Sequence, residues 1–339
     1  MRVIRAENVN DAFYRGLDLF QVPVNYRRQK SRNGITLEAK EAVSTVYNRP
    51  WERVLFDKSR DANPFFHLVE AIWMLTGSKS LDPIIEFNSG MIDFSDDGET
   101  LNGAYGFRWF KQFDLDQIQW NINVLEADPE SRRAVLQMWD PSCDLNSPST
   151  DIPCNTNIYF KIREGNLNMT VCNRSNDMLW GAYGANAVHM SVLQEYVAAA
   201  LNVSIGTYTQ VSDSLHIYEN KQWKKLKNIE LPISPMFTGI SLMPKYPNTY
   251  PLVDNASTFI AECKRFILCL EPSYGGQTSH SWDNSFFPNV LEPMVDAFRA
   301  HKRRDYVEAK EHLGKIKAED WEIACRNWIT KRQTAYELK

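Results

Sequence analysis

The stretch DIPCNTNIYFKIREGNLNMTVCNRSND, residues 151–177, decides the fold because apolar and polar residues alternate along most of its length. Alternation with a period of two is typical of strands, and the β-branched and aromatic side chains favour the same structure. Glu164-Gly165 separates the two alternating runs and predicts a tight turn. The stretch therefore predicts two paired strands, which would bring Arg174 within reach of Cys154.

Further strands and helices are predicted on both sides of this pair. AVLQMW, residues 134–139, and GTYTQVSDSLHIYEN, residues 206–220, are also typical of strands. Helical spacing of apolar residues occurs in residues 1–20 and 186–201, and several charged amphipathic helices are predicted from residue 255 onwards. The sequence thus predicts an α+β fold, with one central mixed sheet and helices packed over one face.

Residues 64–76 carry the strongest local helix signals in the chain. Asn63 can cap the helix, Pro64 suits its first position, and Gly77 can end it. Within this helix, Glu70 stands in the apolar run FFHLVEAIWML. A buried carboxyl group is costly unless it is bonded, and burial raises its pKa, which suits proton transfer; the alternative is a side chain at the solvent edge of the helix.

The composition of the 339-residue chain is that of a globular protein. We expect a single domain, with a motif-bearing core at about residues 30–220 and a helical extension at about 255–339. Hydrophobic residues make up 43% and charged residues 24%, which excludes a disordered chain. Lys plus Arg (38) against Asp plus Glu (42) gives a net charge of −4, so we expect no nucleic-acid partner.

Three features favour a reducing, cytoplasmic location. No stretch approaches the roughly 18 uninterrupted apolar residues that a membrane span needs. The first residues, MRVIRAENVNDAF, lack the apolar region of a secretory signal. The six cysteines form no C-x-x-C pair, which argues against a disulfide framework and a structural zinc site, so no metal is expected.

Cys154 follows a proline and leads into a strand, and two interpretations of it stay open. Most free cysteines are small, buried apolar residues. A nucleophilic cysteine instead needs a nearby cation or a helix N-terminus that lowers its pKa, and Arg174 is the cation that the strand pair would supply.

Three arginines and one polar pair also admit two interpretations each. Arg132 and Arg133 are adjacent, and Arg32 precedes a turn predicted by the Asn-Gly sequence that follows it; such arginines are either solvated surface charges or ligands of a phosphate. His216 and Tyr218 alternate on one predicted strand, so both face the same side. They form either a structural cross-strand pair or a site that recognises a hydroxyl group.

Seven motifs, in family order, resemble the thymidylate synthase and deoxynucleotide hydroxymethylase superfamily. They span about residues 30–220 and are SRNG, FHLVEAIW, NGAYGFRW, ESRRAVLQMWDP, PCN, NRSNDMLWGAYGANAVH and HIYEN. Each motif alone is weak, but seven in the right order are specific. The resemblance implies a thymidylate synthase-like fold with additional C-terminal helices.

The resemblance also implies a role for each matching residue. Cys154 resembles the nucleophile that adds to C6 of a pyrimidine, Glu70 the general acid–base, and Tyr105 the tyrosine of a proton-relay water network. Asp177 resembles the aspartate that binds the folate pterin. The implied nucleotide ligands are Arg32, Arg174 and Ser175 for the phosphate, Arg132 and Arg133 for the partner subunit's phosphate, Asn186 for the base, and His216 and Tyr218 for the 3′-hydroxyl.

These roles imply one-carbon transfer from 5,10-methylenetetrahydrofolate to C5 of a pyrimidine nucleoside monophosphate, by a homodimer with shared active sites. Addition of Cys154 to C6 makes C5 a carbon nucleophile. Once tetrahydrofolate has left, the exocyclic methylene takes either a hydride, which gives a methyl group, or water, which gives a hydroxymethyl group.

Two departures from the family pattern favour water. FNSGMIDFSDDG, with Ile92 and Phe94 or Ser95, stands where similar thymidylate synthases keep tryptophans, although Trp109 or Trp180 could fill the same space. The sequence also ends ITKRQTAYELK, without the apolar residues that close over the folate. Both departures admit water to the site, so hydroxymethylation is expected and thymidylate synthesis is the alternative.

The choice of base is less determined by the sequence. An asparagine can accept from N3–H of uracil and donate to O4, so Asn186 favours dUMP. However, YGANAVH is one residue longer than the usual loop, so Ala185 could take this position, and dCMP or CMP stays an alternative substrate.

Two other classes of function are alternatives. One is a cysteine hydrolase that uses Cys154 with His189 or His216, for which the sequence has no oxyanion-hole signature. The other is a non-catalytic nucleotide- or RNA-binding relative, which the combination of Cys154, Glu70 and Arg174 and the net charge of −4 disfavour.

Overall fold

The computed structural model describes residues 1–229, 231, 245–270 and 281–338, and it confirms an α+β fold. The strands are β1 (Arg2–Ala6), β2 (Tyr26–Ser31), β3 (Gly34–Ala39), β4 (Val43–Tyr47), β5 (Val135–Gln137), β6 (Asn155–Arg163), β7 (Asn166–Asn173), β8 (Asn176–Asp177), β9 (Ser204–Ser212) and β10 (Leu215–Tyr218). The helices are α1 (Val9–Gln21), α2 (Pro64–Met74), α3 (Asp82–Ile85), α4 (Tyr105–Phe110), α5 (Gln117–Ala127), α6 (Pro141–Asp144), α7 (Asn186–Ala200), α8 (Lys221–Leu226), α9 (Ala256–Leu270), α10 (Glu292–Arg303), α11 (Tyr306–Leu313) and α12 (Glu319–Glu337).

A six-stranded mixed sheet, in the order β1-β4-β9-β7-β6-β5, forms the centre of the molecule. The predicted pair of strands is its antiparallel β6–β7 hairpin, in which Glu164 and Gly165 take the left-handed conformation at φ 52° and 72°. Leu167, Met169 and Val171 of β7 are buried and their sequence neighbours are half-exposed, as expected for a sheet covered on one face. Helices α1 and α7 pack against this sheet.

A second sheet of four strands, in the order β2-β3-β10-β8, was not predicted. The stretch 206–220 was expected to form one strand, but the chain turns at Asp213 and Ser214, so that β9 lies in the first sheet and β10 in the second. The expectation of one central sheet was therefore wrong in this detail. Alternation of side chains marks each strand but does not reveal which partner the strand pairs with.

Helix α2 begins and ends as its local signals predict. The side chain of Asn63 accepts a hydrogen bond from the backbone of Phe66, Pro64 is the first helical residue, and Gly77 takes a φ of 69° beyond the last turn. The turn at Asn33 and Gly34 is confirmed as well, because it joins β2 to β3.

The N-terminal prediction needs a correction. Residues 1–20 were expected to form one helix, but Arg2–Ala6 form β1, which pairs in parallel with β4, and the helix begins only at Val9. Asn8 ends the strand and caps the helix by accepting hydrogen bonds from the backbone of Asn10 and Asp11.

The C-terminal helices are present as predicted, and α9, α10 and α12 pack against α2. The ring of Trp328 in α12 meets the ring of Phe65 in α2 at 5.4 Å between centroids. Among the described helices, none is both long and apolar enough to cross a membrane.

Candidate active site

Cys154 lies immediately before β6, at the open end of the β6–β7 hairpin, and its carbonyl accepts the backbone N–H of Arg174 at 3.0 Å. The hydroxyl oxygen of Tyr105 accepts the backbone N–H groups of Cys154 and Asn155 at 3.1 and 3.2 Å. These hydrogen bonds fix the backbone on both sides of the sulfur.

The position of Tyr105 depends on a close approach between α4 and the end of α2. A Cβ at the next residue, Gly106, would lie 1.9 Å from the carbonyl oxygen of Met74. Only glycine fits there without moving the backbone of one helix. Burial raises the pKa of Tyr105 far above its ordinary value, so its hydroxyl stays protonated.

Two guanidinium groups converge on the segment before Cys154. Arg174 donates through Nε to the carbonyl of Pro153 at 2.9 Å and through Nη2 to that of Ile152 at 3.1 Å. Arg32, a predicted phosphate ligand far from Cys154 in the sequence, donates to the carbonyl of Thr150 at 2.7 Å. Both arginines are exposed, so their remaining N–H groups are accessible to an anion.

The cations next to Cys154 do not lower the pKa of its thiol below the ordinary value. Burial raises that pKa, and Arg174 and Arg32 oppose the effect only in part. The sequence argument correctly placed a cation beside the sulfur but did not account for the larger cost of desolvating a thiolate. The sulfur is therefore a protected thiol in this structure.

A chain of buried amides runs from the residue after the cysteine into the sheet. Asn155 donates to the side-chain oxygen of Asn186 at 3.4 Å, and Asn186 donates to that of Asn176 at 3.2 Å. Asn176 continues the chain to Ser212 at 3.0 Å. A kinked π-helical turn, Met178–Ala185, precedes α7, and its residues Tyr183 and Gly184 leave helical backbone angles. The longer loop still brings Asn186 to the cysteine segment.

Glu70 points from α2 towards α7, where its Oε2 lies 3.1 Å from Nε2 of His189. The two side chains are 13% and 4% exposed, so the interpretation of Glu70 as a solvent-edge residue is wrong. His189 lies one turn after Asn186 on the same face of α7. It contacts the carboxylate, and its ring also meets the ring of His67 edge-on.

The two carboxylate oxygens of Asp177 differ, because one accepts hydrogen bonds from the backbone and the other has no partner within the described residues. Its Oδ1 accepts the backbone N–H groups of Leu179 and Trp180, both at 2.7 Å, and thereby caps the π-helical turn. Its Oδ2 is buried and has no hydrogen-bond partner within the described residues. Burial raises the pKa of this carboxyl group, which backbone hydrogen bonds and the nearby charges of His216 and Arg60 oppose.

Trp180 lies three residues after Asp177, and its side chain is 54% exposed. The buried guanidinium of Arg60 lies 4.2 Å from the centre of this ring and donates to the carbonyl of Leu179. An exposed indole held in place next to an open carboxylate oxygen offers both a flat face and an acceptor to a planar ligand. Trp109, by contrast, is 1% exposed and belongs to the core.

His216 and Tyr218 lie side by side on β10, as their spacing predicts, with ring centroids 5.3 Å apart and the planes nearly perpendicular. His216 is also paired in register with Asp177 on β8. Ser175 lies half-buried between Arg174 and β8. Arg32 lies in the turn between β2 and β3, and Ser175 directly precedes β8, so both flank strands of the sheet that carries His216 and Tyr218.

The structure does not bring Arg132 and Arg133 to the cysteine of their own chain. Both are exposed and directly precede β5, whose residue Val135 pairs with Tyr159 of β6. Tyr159 is five residues beyond Cys154, and at about 3.3 Å per residue the arginines lie roughly 20 Å from the sulfur.

Sequence reasoning missed two parts of this site. His189 was considered only as a base for Cys154, whereas the structure pairs it with Glu70; its i,i+3 spacing from Asn186 was the available signal. Arg60 was not predicted at all, because nothing in the local sequence distinguishes it from a surface arginine.

The chain belongs to the thymidylate synthase family, whose model matches residues 58–237. It is 41% identical, over 349 aligned positions that cover 100% of this chain and 97% of the relative, to a protein of Pseudomonas phage M6 named deoxyuridylate hydroxymethyltransferase. Relatives with the same name in Bacillus phage SP01 and Delftia phage PhiW-14 are 38% and 30% identical, over 52% and 64% of this chain and 49% and 62% of their own lengths.

Proposed function

We propose that this protein is a folate-dependent deoxyuridylate hydroxymethyltransferase, which converts dUMP to 5-hydroxymethyl-dUMP. The observation that carries the proposal is the similarity to the Pseudomonas phage M6 protein of that name, since it extends over the whole chain, including the C-terminal helices. The geometry around Cys154 supports the same chemistry.

Cys154 is the proposed nucleophile, which adds to C6 of uracil. Its thiol is half-buried and has a raised pKa, so it must lose its proton when substrate binds. A substrate phosphate is expected to draw Arg174 and Arg32 away from the carbonyls that they now contact, with Ser175 as a further ligand. Tyr105 holds the backbone of the cysteine segment while the sulfur forms and then breaks its bond to C6 of uracil.

Asn186 is the proposed reader of the base. The amide chain through Asn155 and Asn176 fixes its orientation, and an amide matches both N3–H and O4 of uracil. His216 and Tyr218 are the proposed ligands of the 3′-hydroxyl, because both rings face the same side of β10. These assignments favour dUMP over dCMP.

Asp177 and Trp180 are the residues that fit a folate. The buried Oδ2 of Asp177 has no partner within the described residues and can accept from a pterin N–H, and the exposed indole can pack against a planar ring. When bound, 5,10-methylenetetrahydrofolate supplies a one-carbon unit at the oxidation level of formaldehyde. Glu70 is the proposed group that moves protons between the base, the folate and water.

The exposure of the Ser89–Phe94 turn supports hydroxymethylation rather than methylation. Ile92 and Phe94 stand where similar thymidylate synthases keep tryptophans, and they are 45% and 48% exposed. A less enclosed site allows water to reach the exocyclic methylene before a hydride does.

A homodimer with shared sites is proposed from the position of two arginines and of one sheet face. Arg132 and Arg133 are too far from their own cysteine to bind the same phosphate, and Val135 and Tyr159 are each 39% exposed on the outer side of the sheet. A cytoplasmic location is proposed as well, because all six cysteines are free.

The dimer can be tested by mixing two inactive variants, Cys154→Ser and the double variant Arg132→Ala/Arg133→Ala. If each site combines Cys154 of one chain with the arginines of the other, random reassortment restores about one quarter of the wild-type activity. If both belong to one chain, mixing restores none, because no site then has a complete set.

The function itself is tested by the product. Incubation of the protein with dUMP and 5,10-methylenetetrahydrofolate is expected to give 5-hydroxymethyl-dUMP and tetrahydrofolate, identified by mass spectrometry. Formation of thymidylate with dihydrofolate would instead establish a thymidylate synthase. Parallel reactions with dCMP and CMP establish the base and the sugar.

A further inference from the structure

The contact between Glu70 and His189 joins two helices behind the cysteine segment. Oε2 of Glu70 is 3.1 Å from Nε2 of His189, but the angles at this contact are not those of a hydrogen bond, and Nε2 is buried without a hydrogen-bond partner among the described residues. Neither carboxylate oxygen of Glu70 has a hydrogen-bond partner in the described part of the chain. The carboxylate thus faces the imidazole of His189 at one oxygen and is open at the other.

Two further titratable groups, His67 and Asp151, lie near Glu70 and His189. His67, one turn before Glu70 on α2, is buried, and burial together with the Arg60 guanidinium holds its pKa well below the ordinary value, so its ring is neutral. Asp151 lies close enough to Glu70 for the charge of Glu70 to raise the pKa of the Asp151 carboxyl group, and the two carboxyl groups share no hydrogen bond within the described residues. His189 is therefore the group that can donate a hydrogen bond to Glu70.

We infer that His189 is a positioning residue that holds Glu70 so that its free oxygen accepts the proton of the water that attacks the exocyclic methylene. The inference rests on the proposed function. A contact that is imperfectly aligned without substrate can tighten when substrate fills the site.

The step balances in atoms and electrons. The water oxygen forms a bond to the exocyclic carbon, and one O–H bond breaks as its proton passes to Glu70. The electron pair of the exocyclic double bond returns to the ring, where the C5–C6 double bond forms. The bond between C6 and sulfur breaks, and Cys154 leaves as a thiolate.

A variant that fails to activate water can be recognised by its products. C5 has already lost its proton in such a variant, but the exocyclic methylene accumulates because water does not add to it. The test uses the full-length protein, dUMP with tritium at C5, 5,10-methylenetetrahydrofolate and 2-mercaptoethanol. Tritium release reports loss of the C5 proton, 5-hydroxymethyl-dUMP reports capture by water, and a thioether of the nucleotide reports capture by the thiol.

For His189→Ala, we expect the ratio of hydroxymethyl product to released tritium to fall about tenfold or more, with a matching rise in thioether and little change in KM for dUMP. His189→Gln supplies an amide N–H in place of the ring N–H and is expected to recover the wild-type ratio within about threefold. The matched control is His312→Gln, since His312 also contacts carboxylates, at 3.7 Å from Asp296 and Glu308, but lies among the C-terminal helices.

A ratio does not depend on how much of a variant is folded, so a loss of total activity alone does not mimic the result. An unchanged ratio in His189→Ala, or a His189→Gln variant that binds dUMP but shows the defect of alanine, overturns the inference. If the wild-type protein makes thymidylate and no hydroxymethyl product, the proposed function is what fails.

Discussion

Buried carboxylates in the catalytic half and in the C-terminal helices are satisfied in different ways. In the C-terminal region, Glu262 accepts the backbone N–H groups of Asp283 and Asn284, and Asp320 accepts Trp321 N–H at one oxygen and the Tyr246 hydroxyl at the other. Near Cys154, Oδ2 of Asp177 has no hydrogen-bond partner among the described residues, and Glu70 makes only a 3.1 Å contact with Nε2 of His189 that lacks hydrogen-bond geometry.

The difference separates residues that stabilise the fold from residues that await a ligand. A carboxyl group whose two oxygens both have partners within the chain has its hydrogen-bonding capacity met there, even where burial still raises its pKa, as it does for Asp320. A carboxyl group with an open oxygen has its hydrogen-bonding capacity met only when something binds. Substitutions near Cys154 should therefore change chemistry more than stability, and substitutions among the C-terminal helices should do the reverse.

The largest effect is expected from Cys154→Ser. Loss of the thiol removes covalent addition to C6, so product formation should fall by about 1,000-fold or more while the free energy of unfolding changes by less than about 1 kcal/mol. Turnover by mass spectrometry and dUMP binding by calorimetry check the two halves of this expectation. Cys143→Ser, at an exposed cysteine, is the control, and turnover by Cys154→Ser at the wild-type rate would contradict covalent catalysis.

The second prediction concerns Trp328, which packs against Phe65, Phe298 and His301 and lies under the guanidinium of Arg332. Trp328→Ala should lower the free energy of unfolding by about 3–5 kcal/mol, because a large ring is lost from a packed cluster. KM for dUMP should stay within about twofold, since the ring touches no residue of the proposed nucleotide site.

The control for Trp328 is Trp120→Ala, because Trp120 is 57% exposed on α5. This substitution should cost less than about 0.5 kcal/mol in urea unfolding. Equal stability of the two variants would mean that α12 adds little to the stability of the fold.

The sequence predicted those elements whose signals are local. Asn63, Pro64 and Gly77 bound α2 because a cap, a first-turn proline and a terminal glycine act within a few residues of their own position. The same holds for the β6–β7 hairpin, whose turn at Glu164 and Gly165 also sets the distance between Cys154 and Arg174.

Elements that depend on distant partners were not predictable in this way. Arg2–Ala6 became a strand because β4, about forty residues later, offers it a parallel edge. In the site, the pairing of Glu70 with His189 depends on how α2 packs on α7. Family resemblance named the site residues, and their roles stay predictions until they are tested by substitution.

A smaller effect is expected from Asn186→Asp. An aspartate can only accept hydrogen bonds when ionised, which matches N4–H₂ of cytosine and repels O4 of uracil, so the ratio of kcat/KM for dCMP to that for dUMP should rise about 10- to 100-fold. Stability should change less than this selectivity, because Asn155 can still donate to the new carboxylate.

The matched control for base selection is Asn123→Asp, which makes the same change of charge at an exposed position of α5. Its ratio for the two nucleotides should equal that of the wild type. An unchanged ratio in Asn186→Asp would show that another residue reads the base, with the neighbouring Ala185 backbone as the next position to examine.

The smallest effect is expected from Asp320→Asn, and it concerns pH. Burial raises the pKa of Asp320 to about 7, whereas an unfolded aspartate titrates near about 3.9. Between these values the folded protein keeps a proton that the unfolded chain has lost, so the free energy of unfolding falls as the pH rises from about 4 to about 7.

An asparagine at position 320 can still accept from Trp321 and can donate to Tyr246 without carrying a buried charge. A full shift of about three pKa units would correspond to about 4 kcal/mol. Because relaxation around a buried charge reduces its cost, we expect Asp320→Asn to gain at least about 1 kcal/mol over the wild type at pH 7 and nothing at pH 4. Urea unfolding across this range measures the gain, with the exposed Asp213→Asn as control. An equal gain at pH 4 and pH 7 would mean that asparagine stabilises the site by packing, and that the buried carboxyl group titrates as it does in the unfolded chain.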